Sequence, residues 1–379
     1  MFSTSTSSSP TTVRQTIPQP LLHEGLQIVY RASSARSPMP ALMGILLEGK
    51  GDRLRLAATD LELAIECEVA TPAPEAFRIV LPQRYLLDLV RRLPGHDLNV
   101  EIDHLNQTAH FSWNGGDLEI HGLDARDFPE FPVFEKASLF EISAAKLRQL
   151  IRETSFAAAS SDVRPILTGC LFEAKNGTLE VVATDGFRVA WSQAPVEAPG
   201  VDVAAVVPVR ALNELTRLLP EDDTVVRIEV SKSQAAFHFR QVSLITRLLE
   251  GQFPLYRQVI PNAFPLTATF DSKDFIATAE RASLLAEGDS NPVRLRFFSD
   301  KILLQASTPE VGKVEEAIPA HIQGEEMEIV FNVRFLLEGL KALGEAETIF
   351  ELSGTLSPAR LRRQGDEQAF YLVLPIRTT

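Results

Sequence analysis

The chain has 379 residues, of which 45% are hydrophobic, 23% charged and 7% aromatic. This composition is that of a globular protein and excludes wholesale disorder and fibrous architectures. The 37 Lys and Arg against 50 Asp and Glu give a formal charge of -13. Such a balance argues against a protein that coats nucleic acid with its whole surface, so we expect any nucleic-acid contact at a locally basic face.

The chain opens with a Ser/Thr-rich stretch, residues 1–12, which predicts a disordered leader. It lacks the basic and apolar segments of a secretory signal, and no apolar run approaches the roughly 18 to 20 residues that span a bilayer. Two cysteines, Cys67 and Cys170, are too few for a disulfide framework or a cysteine metal site. We therefore expect a cytoplasmic protein with no membrane partner, no metal and no cofactor.

After the leader, the chain repeats a pair of strands around Ala-Thr-Asp. Alternating apolar and polar residues at 46–69 and 171–196 predict two strands in each segment, and the two triplets are 125 residues apart. A weaker third copy lies at 295–317. The sequence Gly49-Lys50-Gly51 in the first copy lacks the frame of a phosphate-binding loop, so we interpret it as a hairpin turn.

Two kinds of helix recur with the same period. Apolar residues at helical spacing predict one helix near the start of each repeat, at about 20–30, 143–154 and 272–285, with Ser143 and Ser272 as N-caps. A second helix, led by Pro or Asn, follows the strands. Its residues recur at intervals of 126 and then 124: Arg84, Leu86 and Leu93; Arg210, Leu212 and Leu219; Arg334, Leu336 and Leu343.

Each repeat thus reads helix, strands, helix, strands. A period of this length exceeds the roughly 20 to 50 residues of a solenoid unit. The sequence therefore predicts an α+β protein made of three tandem copies of one fold, at residues 13–135, 136–260 and 261–379.

The predicted helices differ in charge from the rest of the chain. The windows 20–36, 84–94, 142–154, 208–220, 273–284 and 332–343 hold 14 basic and 7 acidic residues, a net +7 in a chain of -13. A solvated face is the ordinary explanation for any one such helix. If the six helices share a surface, that surface is the basic one and suits a phosphate backbone.

Catalytic chemistry has little support in the sequence. Asp60 and Asp185 could serve as a carboxylate pair in a hydrolase, but they occupy equivalent positions in different repeats. An Asp in a turn after a strand is usually a local cap. No HExxH, GxSxG or GxGxxG motif occurs. We expect a protein that is not an enzyme.

The repeated motifs, taken together, resemble the bacterial sliding clamp family, the beta subunits of the replicative DNA polymerase III. The resemblance covers about residues 13–377 and rests on three degenerate domains and on short motifs: the ATD turns, TDGFR at 184–188, DFPEFP at 127–132, QFPLYR at 252–257, FNV at 331–333 and YLVLPIR at 371–377. It implies a processivity factor in which two three-domain subunits close head to tail into a ring.

In that geometry helices line the hole, sheets form the outer wall and duplex DNA passes through without base readout. The resemblance implies these inner DNA contacts: Arg36, Arg91, Arg92, Arg148, Arg152, Arg210, Arg217 and Lys341. The implied partners are a second copy of the chain, duplex DNA, the polymerase alpha subunit, the clamp loader, repair polymerases and other proteins that carry a clamp-binding motif.

The resemblance also implies a groove for short linear peptides of these partners. Its wall would comprise Leu167, Thr184, Gly186, Phe187, Arg188, Val189, Pro254, Val259, Leu372, Val373, Leu374, Pro375, Ile376 and Arg377. We expect Leu167, Val189, Leu372 and Leu374 to take apolar anchors, and Arg188 and Arg377 to hold acidic or carbonyl groups. A buried edge strand is an alternative for residues 372–376. Phe187 replaces the His of the familiar TDGHR motif.

The subunit interface is implied at Leu284 and Leu285, facing the strand of Leu118 in the partner. A paralogous clamp, one that confers resistance to a clamp-directed inhibitor or serves only repair, is the alternative to the replicative protein.

Overall fold

The computed structural model describes residues 12–377 except 94, 133, 135, 136, 162, 199, 287 and 289. Apart from Thr12, the predicted disordered leader lies outside the described residues. Contacts divide the chain into two compact units. Unit 1 comprises Met1–Ala137 and Val226–Arg247, and unit 2 comprises Ser138–Val225 and Leu248–Thr379. Because these units do not follow the repeats, the residue bounds of the three domains stay a prediction.

Unit 1 contains two helices and two groups of antiparallel strands, one of four strands and one of five. Its helices are α1 (Gln19–Val29) and α2 (Gln83–Arg92). Its strands are β1 (Thr12–Pro18), β2 (Gly44–Thr59), β3 (Leu63–Pro82), β4 (Asp97–Asp103), β5 (Thr108–Trp113), β6 (Gly116–His121), β12 (Val225–Val230), β13 (Gln234–Phe239) and β14 (Val242–Arg247). They run in the orders β1-β4-β5-β6 and β2-β3-β14-β13-β12.

Unit 2 contains four helices: α3 (Ala144–Thr154), α4 (Val209–Leu218), α5 (Ser272–Ser283) and α6 (Val333–Leu343). Its strands are β7 (Ser138–Ser143), β8 (Gly169–Lys175), β9 (Thr178–Thr184), β10 (Arg188–Pro195), β11 (Asp202–Pro208), β15 (Leu266–Asp271), β16 (Pro292–Phe297), β17 (Lys301–Thr308), β18 (Gly312–Pro319), β19 (His321–Gln323), β20 (Met327–Asn332), β21 (Glu347–Leu352), β22 (Ala359–Arg363) and β23 (Ala369–Val373).

Two sheets organise unit 2. Nine strands run in the order β11-β8-β9-β10-β23-β22-β21-β15-β19, and four run in the order β18-β17-β16-β20. The pairing of β10 with β23 joins the second repeat to the third, so the sheet passes over the repeat boundary. This pairing places the TDGFR turn beside the C-terminal segment.

The six helices that the apolar period predicts are all present. Each buries one apolar stripe; in α3 the stripe is Leu147, Leu150 and Ile151. Ser143 caps α3, because its Oγ accepts the N–H of Lys146 at 3.3 Å. No helix of the described residues is long and apolar enough to cross a membrane.

The predicted N-cap of α5 is wrong by one residue. Asp271 caps this helix, and its Oδ1 accepts the N–H of Lys273 at 2.7 Å. Ser272 is fully buried instead, and its hydroxyl donates to the carbonyl of Ala346. The interpretation of Gly49-Lys50-Gly51 as a hairpin turn is also wrong. These residues form an irregularity within β2, and the turn of the hairpin lies at Asp60.

Candidate functional site

A tight turn between β9 and β10 presents the side chain of Phe187 to solvent. Oδ1 of Asp185 accepts the N–H of Phe187 at 2.9 Å and that of Arg188 at 3.2 Å, as the sequence predicts for a capping Asp. Oγ1 of Thr184 accepts the N–H of Gly186 at 3.1 Å and donates to the carbonyl of Arg188 at 2.6 Å. Gly186 has φ +96°, which favours glycine. With its backbone fixed, the turn leaves Phe187 62% exposed.

The C-terminal segment lies directly beside this turn. Val189 pairs with Leu372 across the β10–β23 ladder, and the N–H of Leu374 donates to the carbonyl of Phe187 at 2.9 Å. Val189 and Leu372 are buried in one apolar cluster that also includes Tyr256. Leu374, the first residue after β23, is 38% exposed. The two segments therefore form a continuous apolar floor with an exposed rim.

The segment that connects the second and third repeats forms a further wall. Tyr256 is buried, and its Oη lies 3.0 Å from Oε2 of both Glu173 and Glu180. Arg257 bonds the same two carboxylates, at 3.1 and 2.6 Å. These bonds attach the segment to the sheet, and Val259 of the same segment is 48% exposed.

Arg188 is the most heavily engaged charged group of this turn. Its Nε donates to Oδ2 of Asp185 at 2.8 Å, its Nη1 to Oε2 of Glu338 at 2.5 Å and its Nη2 to the carbonyl of Phe156 at 3.0 Å. The guanidinium also lies 4.3 Å from the ring centroid of Phe335. Its side chain is only 8% exposed.

The predicted groove residues divide into two groups by burial. Those exposed or half-buried are Gly186, Phe187, Pro254, Val259, Leu374, Pro375, Ile376 and Arg377. Those buried are Leu167, Thr184, Arg188, Val189, Leu372 and Val373. The alternative of a buried edge strand for residues 372–376 is wrong, because β23 lies between β10 and β22 and ends at Val373.

Sequence reasoning missed one cation at this turn. A Cβ atom on Gly186 would lie 3.0 Å from Nη2 of Arg164, so the guanidinium of this exposed residue lies directly against the turn. Leu255, in the connecting segment, is also exposed and was missed. Arg164 directly precedes Pro165 in a loop, and no pattern in the sequence points to its place beside the turn.

The predicted DNA-binding cations differ in their exposure and in the partners that the structure gives them. Arg36, Arg92 and Arg152 are exposed, and so is Arg210. Three others pair with nearby carboxylates: Arg91 with Asp88, Arg217 with Glu214 and Lys341 with Glu280. Arg148 is half-buried, and its Nη2 donates to the carbonyl of Leu219 at the end of α4. The structure thus gives Arg148 a role inside unit 2.

Known proteins match this chain along most of its length. Models of the N-terminal, central and C-terminal domains of the DNA polymerase III beta subunit match residues 14–132, 141–255 and 257–377. The beta sliding clamp of Synechococcus elongatus is 34% identical over 364 residues, which are 94% of this chain and 97% of that protein. The beta sliding clamp of Staphylococcus aureus is 30% identical over 363 residues, which are 93% of this chain and 96% of that protein.

The chain belongs to the DNA polymerase III beta subunit family. Solved clamps share its fold. The Bacillus subtilis sliding clamp is 31% identical with a TM-score of 0.93, and the alignment covers 97% of this chain and all of that one. A Pseudomonas aeruginosa clamp bound to griselimycin is 30% identical, with the same TM-score and coverage. The chain is therefore a sliding clamp, the processivity factor of a replicative DNA polymerase.

The residues that the clamp resemblance places at the subunit interface lie at two surfaces. Leu118 is half-buried on β6, the outer strand of its sheet. Leu284 follows α5 and is 81% exposed. Leu285 is half-buried, and its carbonyl accepts the hydroxyl of Thr308 at 2.6 Å. Of the two adjacent leucines, only Leu284 is free to bury a large apolar area against another subunit.

The described part of the clamp contains no group of three or more His, Cys, Asp or Glu side chains that could hold a metal ion. Asp60 and Asp185 each bond the backbone of their own turn. They act as the local caps that the sequence predicts.

Proposed function

We propose that the apolar floor and rim on unit 2 form the groove through which this clamp binds short peptides of its partners. Two subunits close into a ring around duplex DNA, and the groove tethers polymerases, the clamp loader and repair proteins to that ring. The clamp carries out no reaction of its own and works in the cytoplasm, where the chromosome is replicated.

One observation supports the groove most strongly. The rim side chains Phe187, Val259 and Leu374 are exposed although they border a buried apolar cluster. Exposed apolar side chains beside a preformed floor are typical of sites that take an extended peptide with apolar anchors. Of the expected anchor residues, Val189 and Leu372 belong to the buried floor, Leu167 is also buried, and Leu374 is the exposed one that a peptide can contact directly.

A deletion that spares the sheet tests the groove. Removing residues 374–379 takes away the C-terminal part of the rim, which includes Leu374, but leaves β23, which ends at Val373, paired with both neighbours. We expect the affinity for a fluorescent peptide from the polymerase alpha subunit tail to fall tenfold or more, because each apolar anchor contributes on the order of 1 to 2 kcal/mol. Fluorescence polarisation measures the dissociation constant.

The matched control is Leu356→Ser, which changes an exposed leucine of the same unit between β21 and β22. It should bind the peptide like the wild type. Equal affinity in the wild type and the deletion variant would place the peptide site elsewhere.

The basic helix faces of the clamp are proposed to hold the DNA. Arg36, Arg92 and Arg152 are exposed cations on or beside helices. Such side chains bind phosphates without reading bases, and salt weakens the contact. Arg91, Arg217 and Lys341 would have to exchange a carboxylate partner for a phosphate.

A further inference from the structure

Arg188 is a buried side chain whose guanidinium is held by several groups of unit 2. Asp185, Glu338 and the carbonyl of Phe156 accept its N–H groups, and Phe335 covers one face of the guanidinium. The planar guanidinium has five N–H donors in fixed directions, so these partners also fix its orientation. This arrangement differs from the expectation that Arg188 holds an acidic or carbonyl group of a peptide.

Glu338 lies on helix α6, and the residue after it, Gly339, lies close to β23, the second strand of the groove floor. A Cβ atom on Gly339 would lie 2.3 Å from the ring of Tyr371 on β23. Glycine therefore allows α6 to approach β23 closely at this point. Consecutive residues of α6 thus hold both strands of the floor: Glu338 holds β10 through Arg188, and Gly339 lies against β23.

We propose that Arg188 is a positioning residue, which through Glu338 of α6 fixes the turn that presents Phe187 and does not itself bind the peptide. The proposal rests on the proposed function of the groove. Arg188 is buried and joins Asp185 of the turn to Glu338 of α6, so replacing either Arg188 or Glu338 breaks the link between the turn and the helix and allows the turn to move. Peptide affinity then depends on a side chain that the peptide never touches.

The test uses two variants and two peptides. Arg188→Lys keeps the charge but loses the fork of donors, and Glu338→Gln keeps the shape but loses the charge. The probes are a fluorescent peptide from the polymerase alpha subunit tail and the same peptide with its acidic side chains replaced by amides. We expect Arg188→Lys to raise the dissociation constant about tenfold and Glu338→Gln about threefold, by equal factors for both peptides.

The double variant, Arg188→Lys with Glu338→Gln, distinguishes a shared contact from a general loss of structure. If the two residues act through one contact, the double variant should bind no more weakly than Arg188→Lys alone. Urea unfolding and sedimentation of each variant check the fold and the dimer. Glu280→Gln is the matched control, since it breaks a different ion pair of α6, the one between Lys341 and Glu280 of α5, and should leave peptide affinity unchanged.

Two results would overturn the inference. If Arg188→Lys weakens only the acidic peptide, Arg188 binds the peptide directly. If both variants bind both peptides like the wild type, the Arg188–Glu338 pair has no influence on the groove. Either result leaves the groove itself intact, whereas a wild type that binds neither peptide would contradict the proposed function.

Discussion

Phe187 is the residue at which this clamp departs from the familiar TDGHR motif, and its backbone is held on both sides. Its N–H bonds Asp185 and its carbonyl accepts from Leu374. A substitution here changes the exposed side chain without moving the turn. The residue therefore offers a direct way to alter peptide preference.

We predict that Phe187→His reverses the ranking of two peptides that differ at one position. An imidazole can exchange hydrogen bonds with an amide or carboxylate, whereas the phenyl ring can only bury apolar surface. A peptide with Gln in place of an aliphatic residue should gain affinity by a few-fold, and the aliphatic peptide should lose a similar amount. Competition titrations measure both. An unchanged ranking across a scan of all peptide positions would show that Phe187 does not set the preference.

The two thiols should be unreactive in the native protein. Burial raises the pKa of both Cys67 and Cys170 to about 12. At pH 8 both groups are therefore neutral thiols, and only the thiolate is the nucleophile. We expect a thiol reagent to label neither cysteine in the folded clamp at pH 8 and both in urea well above the unfolding midpoint. Rapid labelling of the native protein would show that one of the sites opens.

At the scale of the helices, Arg148 and Arg152 lie one turn apart on α3 but differ in surroundings. Arg148 is half-buried and donates to the carbonyl of Leu219, which ends α4, whereas Arg152 is exposed. A cationic donor stabilises a helix when it bonds a free carbonyl at the C-terminal end of that helix. Equal changes of charge should therefore have unequal effects on stability.

We predict that Arg148→Gln lowers the free energy of unfolding by about 1 kcal/mol and that Arg152→Gln changes it by less than about 0.5 kcal/mol. Urea unfolding followed by circular dichroism gives both values. DNA loading should be weakened by Arg152→Gln in spite of its unchanged stability. Equal stability losses for the two variants would contradict the capping role of Arg148.

The sequence predicted the elements better than their contacts. Helical periodicity located all six helices, because each must bury one apolar stripe. It misplaced the cap of α5, since Asp271 and Ser272 are both good N-cap residues and only packing decides which one is buried. The hairpin turn predicted at Gly49-Lys50-Gly51 was wrong for a similar reason, because glycine is typical both of hairpin turns and of irregularities within a strand.

The groove shows a second limit of sequence reasoning. Its residues were identified from the family resemblance, and the structure brings most of them together. Whether a residue is rim, floor or support depends on pairings such as Val189 with Leu372, which are far apart in sequence. Arg188 illustrates this, because no local pattern indicates that its partner is Glu338 on α6.

For the whole molecule, the dimer contact can be tested with a single leucine. Leu284 is exposed and makes no contribution to the core of unit 2, whereas Leu285 is half-buried. We predict that Leu284→Ser shifts sedimenting clamp from dimer toward monomer, because an apolar interface residue is replaced by a polar one. Leu356→Ser, which changes another exposed leucine of unit 2, should stay dimeric. A Leu284→Ser protein that remains fully dimeric would contradict the placement.

The mode of DNA binding is tested with a circular template. A ring linked to DNA by topology should stay on a nicked circle after loading and leave once the circle is cut, although no contact has been altered. Direct binding to short linear duplex should be weak and fall steeply with salt, because few cations release counterions. Gel filtration separates bound from free clamp. Tight, salt-resistant binding to short linear duplex would contradict the sliding mode.

The central position of β23 has a consequence for synthesis of the chain. Because β23 fills the space between β10 and β22, a nascent chain that lacks its last residues carries two unpaired strand edges in its largest sheet. Unpaired edges are places where chains associate wrongly. The floor of the proposed groove is therefore among the last parts to form, and a chain that ends before β23 lacks the strand that supplies Leu372 to it.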